Sequence, residues 1–228
     1  MMTERLQAFK AASKTVPKRV IIYRAGVSEV CFGNFQTGRR TQEWSQGQYK
    51  AVLGEFRSKL LKSFEKVEKQ YRPKVTIVVC GKQHGSRFYP TAVEQTSSSG
   101  STLPGTVQDR VISPPFLFDF NLQAHSSPNG QVRPTHYVVI YDENRFSADE
   151  IQQGTHQFSY QYARATRAVS LVPPAYYADL ACKRARCYLS YLDSREDIRA
   201  ATREQVFEEV RREWRGIHNN LKNSMFYI

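Results

Sequence analysis

Apolar residues along this chain switch between two periods, and the switches mark the elements. Met2, Leu6 and Phe9 recur at helical spacing, which predicts a short amphipathic helix over 2–14. Pro17 ends that region. The run KRVIIYR (18–24), β-branched with basic flanks, predicts a buried strand stopping at Ala25-Gly26. From Glu43 to Gln70, residues Tyr49, Val52, Leu53, Phe56, Leu60, Leu61, Phe64 and Val67 keep a helical period. They predict one long amphipathic helix with weak points at Gly47 and Gly54. VTIVVC (75–80), apolar but for Thr76, reads as a strand buried on both faces. A strand–helix–strand of this length implies a parallel pair with a right-handed crossover.

Further along, TSSSGSTLPG (96–105) has no period and reads as a polar loop. FLFDFNLQA (116–124) alternates and predicts a strand that His125 closes, followed by the turn-rich SSPNGQVRP (126–134). HYVVIYDEN (136–144) predicts a strand ending in Asp142-Glu143. SADE (147–150) is a capping box, with Ser147 as N-cap and Glu150 reaching back, and its helix is expected to run to about Arg164. Pro173-Pro174 stops the preceding strand, and a helix restarts from Ala175 with Asp179 about one turn in. Residues 194–222 are dense in Arg and Glu. Ile198, Val206, Val210, Trp214 and Ile217 there predict a surface helix, before an apolar SMFYI tail that must be tucked away. The sum is an α/β chain, a mixed sheet flanked by helices, divided into a leading helix (1–16), a main body (17–192) and a charged helix with tail (193–228).

Charge adds a partner class. With 33 Lys and Arg against 21 Asp and Glu, the net charge is +12 and the pI about 9.6. A globular chain this basic meets nucleic acid or an anionic membrane. No run reaches the length of a membrane span and no signal peptide opens the sequence, so nucleic acid is the expected partner and no membrane. Cysteines 31, 80, 182 and 187 form no CxxC pair. They predict neither a zinc site nor a disulfide framework, and a reducing compartment, cytoplasmic or nuclear.

The densest chemistry lies in 162–188. Arg164, Arg167, Lys183, Arg184 and Arg186 face one acid, Asp179, with Tyr162, Tyr176, Tyr177 and Tyr188 threaded between. Guanidinium forks bind phosphate oxygens and tyrosines offer a ring face and a hydroxyl, which suits a polyanion; a plain solvated helix face reads equally well from composition. Lys82, His84 and Arg87 cluster after the 75–80 strand. In open α/β sheets chemistry gathers at the carboxyl ends of strands, and position 25 is such an end. Alanine there has no chemistry to offer, and Glu29, the nearest acid, reads as a solvated loop carboxylate.

Seven segments in fixed order carry a family resemblance. They are VIIYRAGVSE (20–29), TIVVCGKQHGSRF (76–88), LPGTVQD (103–109), FDFNLQAH (118–125), RPTHYVVIYDENRF (133–146), YARATRAVSLVPPAYYADL (162–180) and the MFYI tail. Together they resemble the C-terminal part of the Piwi domain of eukaryotic Argonaute proteins. That implies a partial ribonuclease H-like fold. In the family, two metal ions held by Asp, Glu, Asp and then His or Asp cut RNA paired to a guide. The resemblance puts the third acid at Ala25 and the fourth at Asp179; the first two lie upstream of this motif, and the chain is expected to begin after them. Mg²⁺ or Mn²⁺ is therefore expected only if a complete site is assembled, with Asp179 alone a weak ligand at best. Contacts to guide phosphates map onto Lys82, His125, Arg133, Arg164, Tyr176, Arg184 and Arg186. Ile228 is placed near the 5′-phosphate pocket, while Gln83 departs from the family's usual arginine. His84, His136 and His156 read as structural or solvated, and Asp109, Asp119 and Asp142 as turn and hydrogen-bonding residues.

The expectation is an RNA-binding protein of gene silencing that grips small guide RNA and its paired target without slicing, alongside silencing-complex proteins. Two other readings stand beside it. One is a metal-dependent endoribonuclease whose missing acids come from a longer product or a partner chain. The other is a truncated gene product with no role of its own.

Overall fold

The computed structural model describes residues 2–25, 42–110, 118–127, 132–193, 195, 201–214, 216–221 and 224–228. Glu29, Cys31 and Ile198 lie outside these residues. The chain divides into two units, residues 1–173 and 174–228.

The first unit is built on five strands: β1 (Arg19–Ala25), β2 (Lys74–Gly81), β3 (Thr106–Gln108), β4 (Phe118–Gln123) and β5 (Thr135–Asp142), in spatial order β1-β2-β5-β4-β3. The β1–β2 pair is parallel, with Arg19 opposite Lys74 and Ala25 opposite Cys80; the other pairings are antiparallel, so the sheet is mixed. Helix α2 (Gln42–Glu65) lies between β1 and β2 in the chain, as the strand–helix–strand spacing required. β2 is buried from Val75 to Cys80, whereas β1, at the end of the order, is only half-buried. The expectation of a fully buried first strand is corrected: among the described residues it has a neighbour on one side only.

Both faces of the sheet are covered, and alternate residues show how. Ile22 packs towards a cluster of Leu6 from α1 (Met2–Ser13), Leu60 and Phe64 from α2, Tyr71, Val75 and Ile77. The next residue, Tyr23, faces the other way, edge-on to Tyr137 and to Phe158 of α3 (Ala148–Phe158), with its hydroxyl 2.9 Å from Thr155 Oγ1. Phe120 stacks on Tyr137 at 5.2 Å on that same face. Burying a ring such as Phe64, 1% exposed, contributes about 1.5–3 kcal/mol.

Several boundaries differ from the sequence expectation, each for a tertiary reason. Helix α2 ends at Glu65 rather than Gln70, because the following turn returns Tyr71 to Phe64, rings 5.5 Å apart, where its hydroxyl donates to Pro17 O at 2.7 Å. The capping box at Ser147 is present as predicted, but α3 stops at Phe158, not Arg164. Ser159 closes it by donating its hydroxyl to His156 O. No strand precedes Pro173. Instead Ser170 O accepts from Thr135 Oγ1 and Val172 N donates to Tyr137 Oη, so segment 159–172 is tied to β5 by isolated bonds rather than a ladder. Strand β3 follows the 96–105 loop, at residues the sequence reading assigned to no element, and pairs with Leu122 and its neighbours.

In the second unit, helix α4 begins with its prolines and runs Pro173–Asp193, two residues earlier than expected. Asp179 therefore falls in its second turn. Among the described residues of the predicted 194–222, helix α5 covers Arg203–Glu213, and Thr202 starts it with a capping box to Gln205. Tyr188 meets Trp214 edge-on at 6.1 Å, and Arg195 reaches Glu209 and Glu213 at 2.8 and 2.7 Å, fastening α5 to the end of α4. The tail is only partly covered: Met225 is exposed, while Phe226, Tyr227 and Ile228 are half-buried, with Tyr227 edge-on to Tyr177 at 6.4 Å.

Candidate nucleic-acid interface

The strand directions decide which side chains meet. β1, β2 and β4 all end, and β5 begins, at one edge of the sheet. Lys82 follows β2, His125 follows β4 and Arg133 precedes β5, so residues 82, 125 and 133 are brought to that edge although 51 positions separate the outer two. Arg133 Nη1 donates to Lys82 O at 3.3 Å, and His84 Nε2 lies 3.1 Å from Pro134 O. These two bonds staple the turn after β2 to the entry of β5. Below them His136 Nε2 meets the buried Asp119 Oδ2 at 2.6 Å, which makes both residues part of the scaffold, as read from the sequence.

The electrostatics of this edge favour an anion. Burial, and after it the neighbouring Arg133 charge, push the Lys82 amine down to about 8. Burial pushes His125 down to about 4, with Lys82 adding to the shift, so the imidazole is neutral at pH 7. Its buried Nδ1 has no hydrogen-bond partner among the described residues. A desolvated amine, an exposed guanidinium and a neutral imidazole thus lie at one edge, and the first two are suited to phosphate oxygens. Arg164 and Arg167 are exposed on segment 159–172, which Thr135 anchors at this same edge. Arg87, grouped with Lys82 in the sequence, instead donates to Ser86 O beside it.

Ala25 is the last residue of β1 and reaches the same edge, exposed and carrying only a methyl group. In the second unit Asp179 is about half exposed and pairs with Lys183 at 2.8 Å, one turn on; that partner raises the lysine's affinity for its proton. Among the described residues no three His, Cys, Asp or Glu side chains gather as a metal-ligand set. This donor set does not fit a two-ion centre. Arg184 and Arg186 are exposed on α4, Tyr176 is half-buried in its first turn, and Ile228 is half-buried in the tail. Among the described residues no helix is long and apolar enough to cross a membrane.

His84 takes a structural role, one of the two readings made of it from the sequence. Its position two residues after Lys82 was the available signal, but its bond to Pro134 exists only in the folded sheet.

Comparison with known proteins gives a consistent picture. The family model for the Piwi domain matches residues 44–190. Protein argonaute MEL1 of Oryza sativa subsp. japonica is 41% identical over 236 residues, covering 100% of this chain and 20% of that protein. The chain thus spans about a fifth of the length of the curated relatives it matches. Among solved structures, the C-terminal lobe of a budding yeast Argonaute superposes with TM-score 0.74 at 26% identity, over 100% of this chain and 43% of that one. Kluyveromyces polysporus Argonaute with a guide RNA gives 0.75 at 26% identity, over 100% of this chain and 26% of that one.

Proposed function

This chain belongs to the Piwi domain family, and we propose that it grips the phosphate backbone of a small guide RNA, and of the target paired to it, without cutting either strand. The observation that carries this reading is the Lys82–Arg133–His125 convergence at the sheet edge. A lysine held away from water beside another cation is costly unless an anion completes the site. Phosphodiesters supply that anion at every residue of an RNA strand. Arg164 and Arg167 extend the cationic surface in this unit, and Arg184, Arg186 and Tyr176 supply phosphate-binding groups on α4. The match to an Argonaute solved with a guide RNA supports the choice of RNA. Silencing-complex proteins, and a cytoplasmic or nuclear setting, belong to the same reading.

The absence of cutting rests on position 25. A carboxylate at the end of β1 could hold a metal ion; the Ala25 methyl cannot, and Asp179 is already engaged by Lys183. Binding should then be independent of Mg²⁺. Fluorescence anisotropy with a short 5′-phosphorylated oligoribonucleotide tests the interface. Lys82→Ala with Arg133→Ala should weaken binding and lower the log–log salt slope by roughly 1.4, two contacts at about 0.7 each for a single strand. An unchanged slope in the folded variant would remove this edge from the RNA path.

A further inference from the structure

Most of the chain's positive charge is not at the proposed RNA edge. Residues 5–19 and 59–74 contain eleven Lys and Arg and two Glu, a net +9 out of the chain's +12. The fold brings these two segments together at the opposite edge of the sheet. Lys74 N donates to Lys18 O at 3.0 Å, Arg19 lies opposite Lys74 in register, and Tyr71 Oη reaches Pro17 O at 2.7 Å. The two Glu are engaged locally: Glu68 with Lys10 at 2.6 Å and Glu65 with Arg72 at 2.5 Å. Lys14, Lys18, Lys62, Lys66, Lys69 and Lys74 remain around them, all exposed. On the β5 side the nearest acids are also engaged. Asp142 accepts from Thr76 Oγ1 and two backbone amides, Glu143 from Val75 N and Tyr141 Oη, and Glu150 from Ser147.

We propose that this lysine-rich face is a second, sequence-independent nucleic-acid site that holds RNA extending beyond the segment gripped at the Lys82 edge. Its composition selects the partner. Protein interfaces are enriched in arginine and aromatic residues and depleted in lysine, and this face is the reverse. Lysine acts as a hydrated point charge on a flexible stem, suited to tracking a phosphate backbone without reading bases. The two edges are separated by the length of β1, seven residues or roughly 20 Å, so one RNA can span both. Linking two weak contacts through one strand raises the apparent affinity without any new chemistry.

The test uses two labelled RNAs on the full chain, a 7-nucleotide strand and a 30-nucleotide strand, titrated across potassium chloride concentrations. The variant Lys18→Gln, Lys66→Gln, Lys69→Gln, Lys74→Gln changes only exposed side chains, and the matching set of arginine replacements preserves charge. The glutamine variant should lower the log–log slope for the 30-mer by about 2.8, at roughly 0.7 per contact, and leave the 7-mer unchanged, while the arginine variant keeps both slopes. A 30-mer slope that survives the glutamine changes overturns the proposal. So does a selective loss of binding to phosphatidylserine-containing vesicles with RNA binding intact, which would make an anionic bilayer the occupant. Failure of the 7-mer to bind the unaltered protein would count against the Lys82 edge alone, since the 30-mer result judges this face separately.

Discussion

Raising the pH should release RNA through one side chain, Lys82. In the free protein burial and the Arg133 charge hold its amine at about 8, against an ordinary 10.5. A phosphate in contact with it restores the charged form, so the complex titrates higher than the free protein. The amine's contribution to binding is therefore complete below pH 8 and is lost as pH rises from there towards 10.5. If the complex returns the amine to 10.5, the affinity at pH 9.5 is lower than at pH 7 by about 30-fold. Arg133 contributes no pH dependence in this range, because a guanidinium stays charged. Anisotropy titrations of a 7-nucleotide RNA at fixed ionic strength from pH 6.5 to 9.5 measure the effect. Lys82→Arg should keep binding and flatten the profile. A wild-type affinity that stays level to pH 9.5, or an equal fall in Lys82→Arg, would refute the placement of a desolvated amine in the RNA path.

Three further outcomes follow from the geometry. Arg164→Ala combined with Arg184→Ala should lower the salt slope for single-stranded RNA by about 1.4, two phosphate contacts, as read by anisotropy. Gly105→Ala should destabilise the first unit by more than about 1 kcal/mol in urea denaturation, because Gly105 has φ +92° and an added Cβ would stand 2.9 Å from His156 Cε1. Phe64→Ala, in the cluster that joins α1 and α2 to the sheet, should cost about 3–5 kcal/mol by the same measurement.

Much of the fold was legible because local pattern and tertiary role coincide. The run 75–80, apolar but for Thr76, reads as a strand covered on both faces, and Ser147 and Glu150 carry both halves of a helix start within four residues. Failures came where long-range bonds override pattern. Val169 to Val172 look like a strand, yet their polar groups go to Ser159, Thr135 and Tyr137 singly. Helical spacing continues past Glu65, but Tyr71 gains more by folding back on Phe64 than by extending α2. β3, three residues long, is specified by its partner Leu122 rather than by its own composition.

The candidate interface divides in the same way. Arginines and tyrosines in 162–188 suited a polyanion, though composition alone fitted a solvated helix face equally well, whereas Lys82, His125 and Arg133 are brought to one edge only through strand direction. The basic stretches 5–19 and 59–74 are far apart in the sequence, and their joining into one face depends on α1 packing against α2. Ala25 was legible as a missing acid because the resemblance named the position, and its exposure at the end of β1 is a property of the fold.

Grip without cutting is tested most directly by one incubation read two ways. End-labelled guide-paired RNA is titrated with the protein in EDTA and in excess Mg²⁺, and the same samples are then run on a denaturing gel. Equal affinities in the two buffers and full-length RNA throughout are the predicted result. Binding that requires Mg²⁺, or a discrete Mg²⁺-dependent fragment, would contradict it.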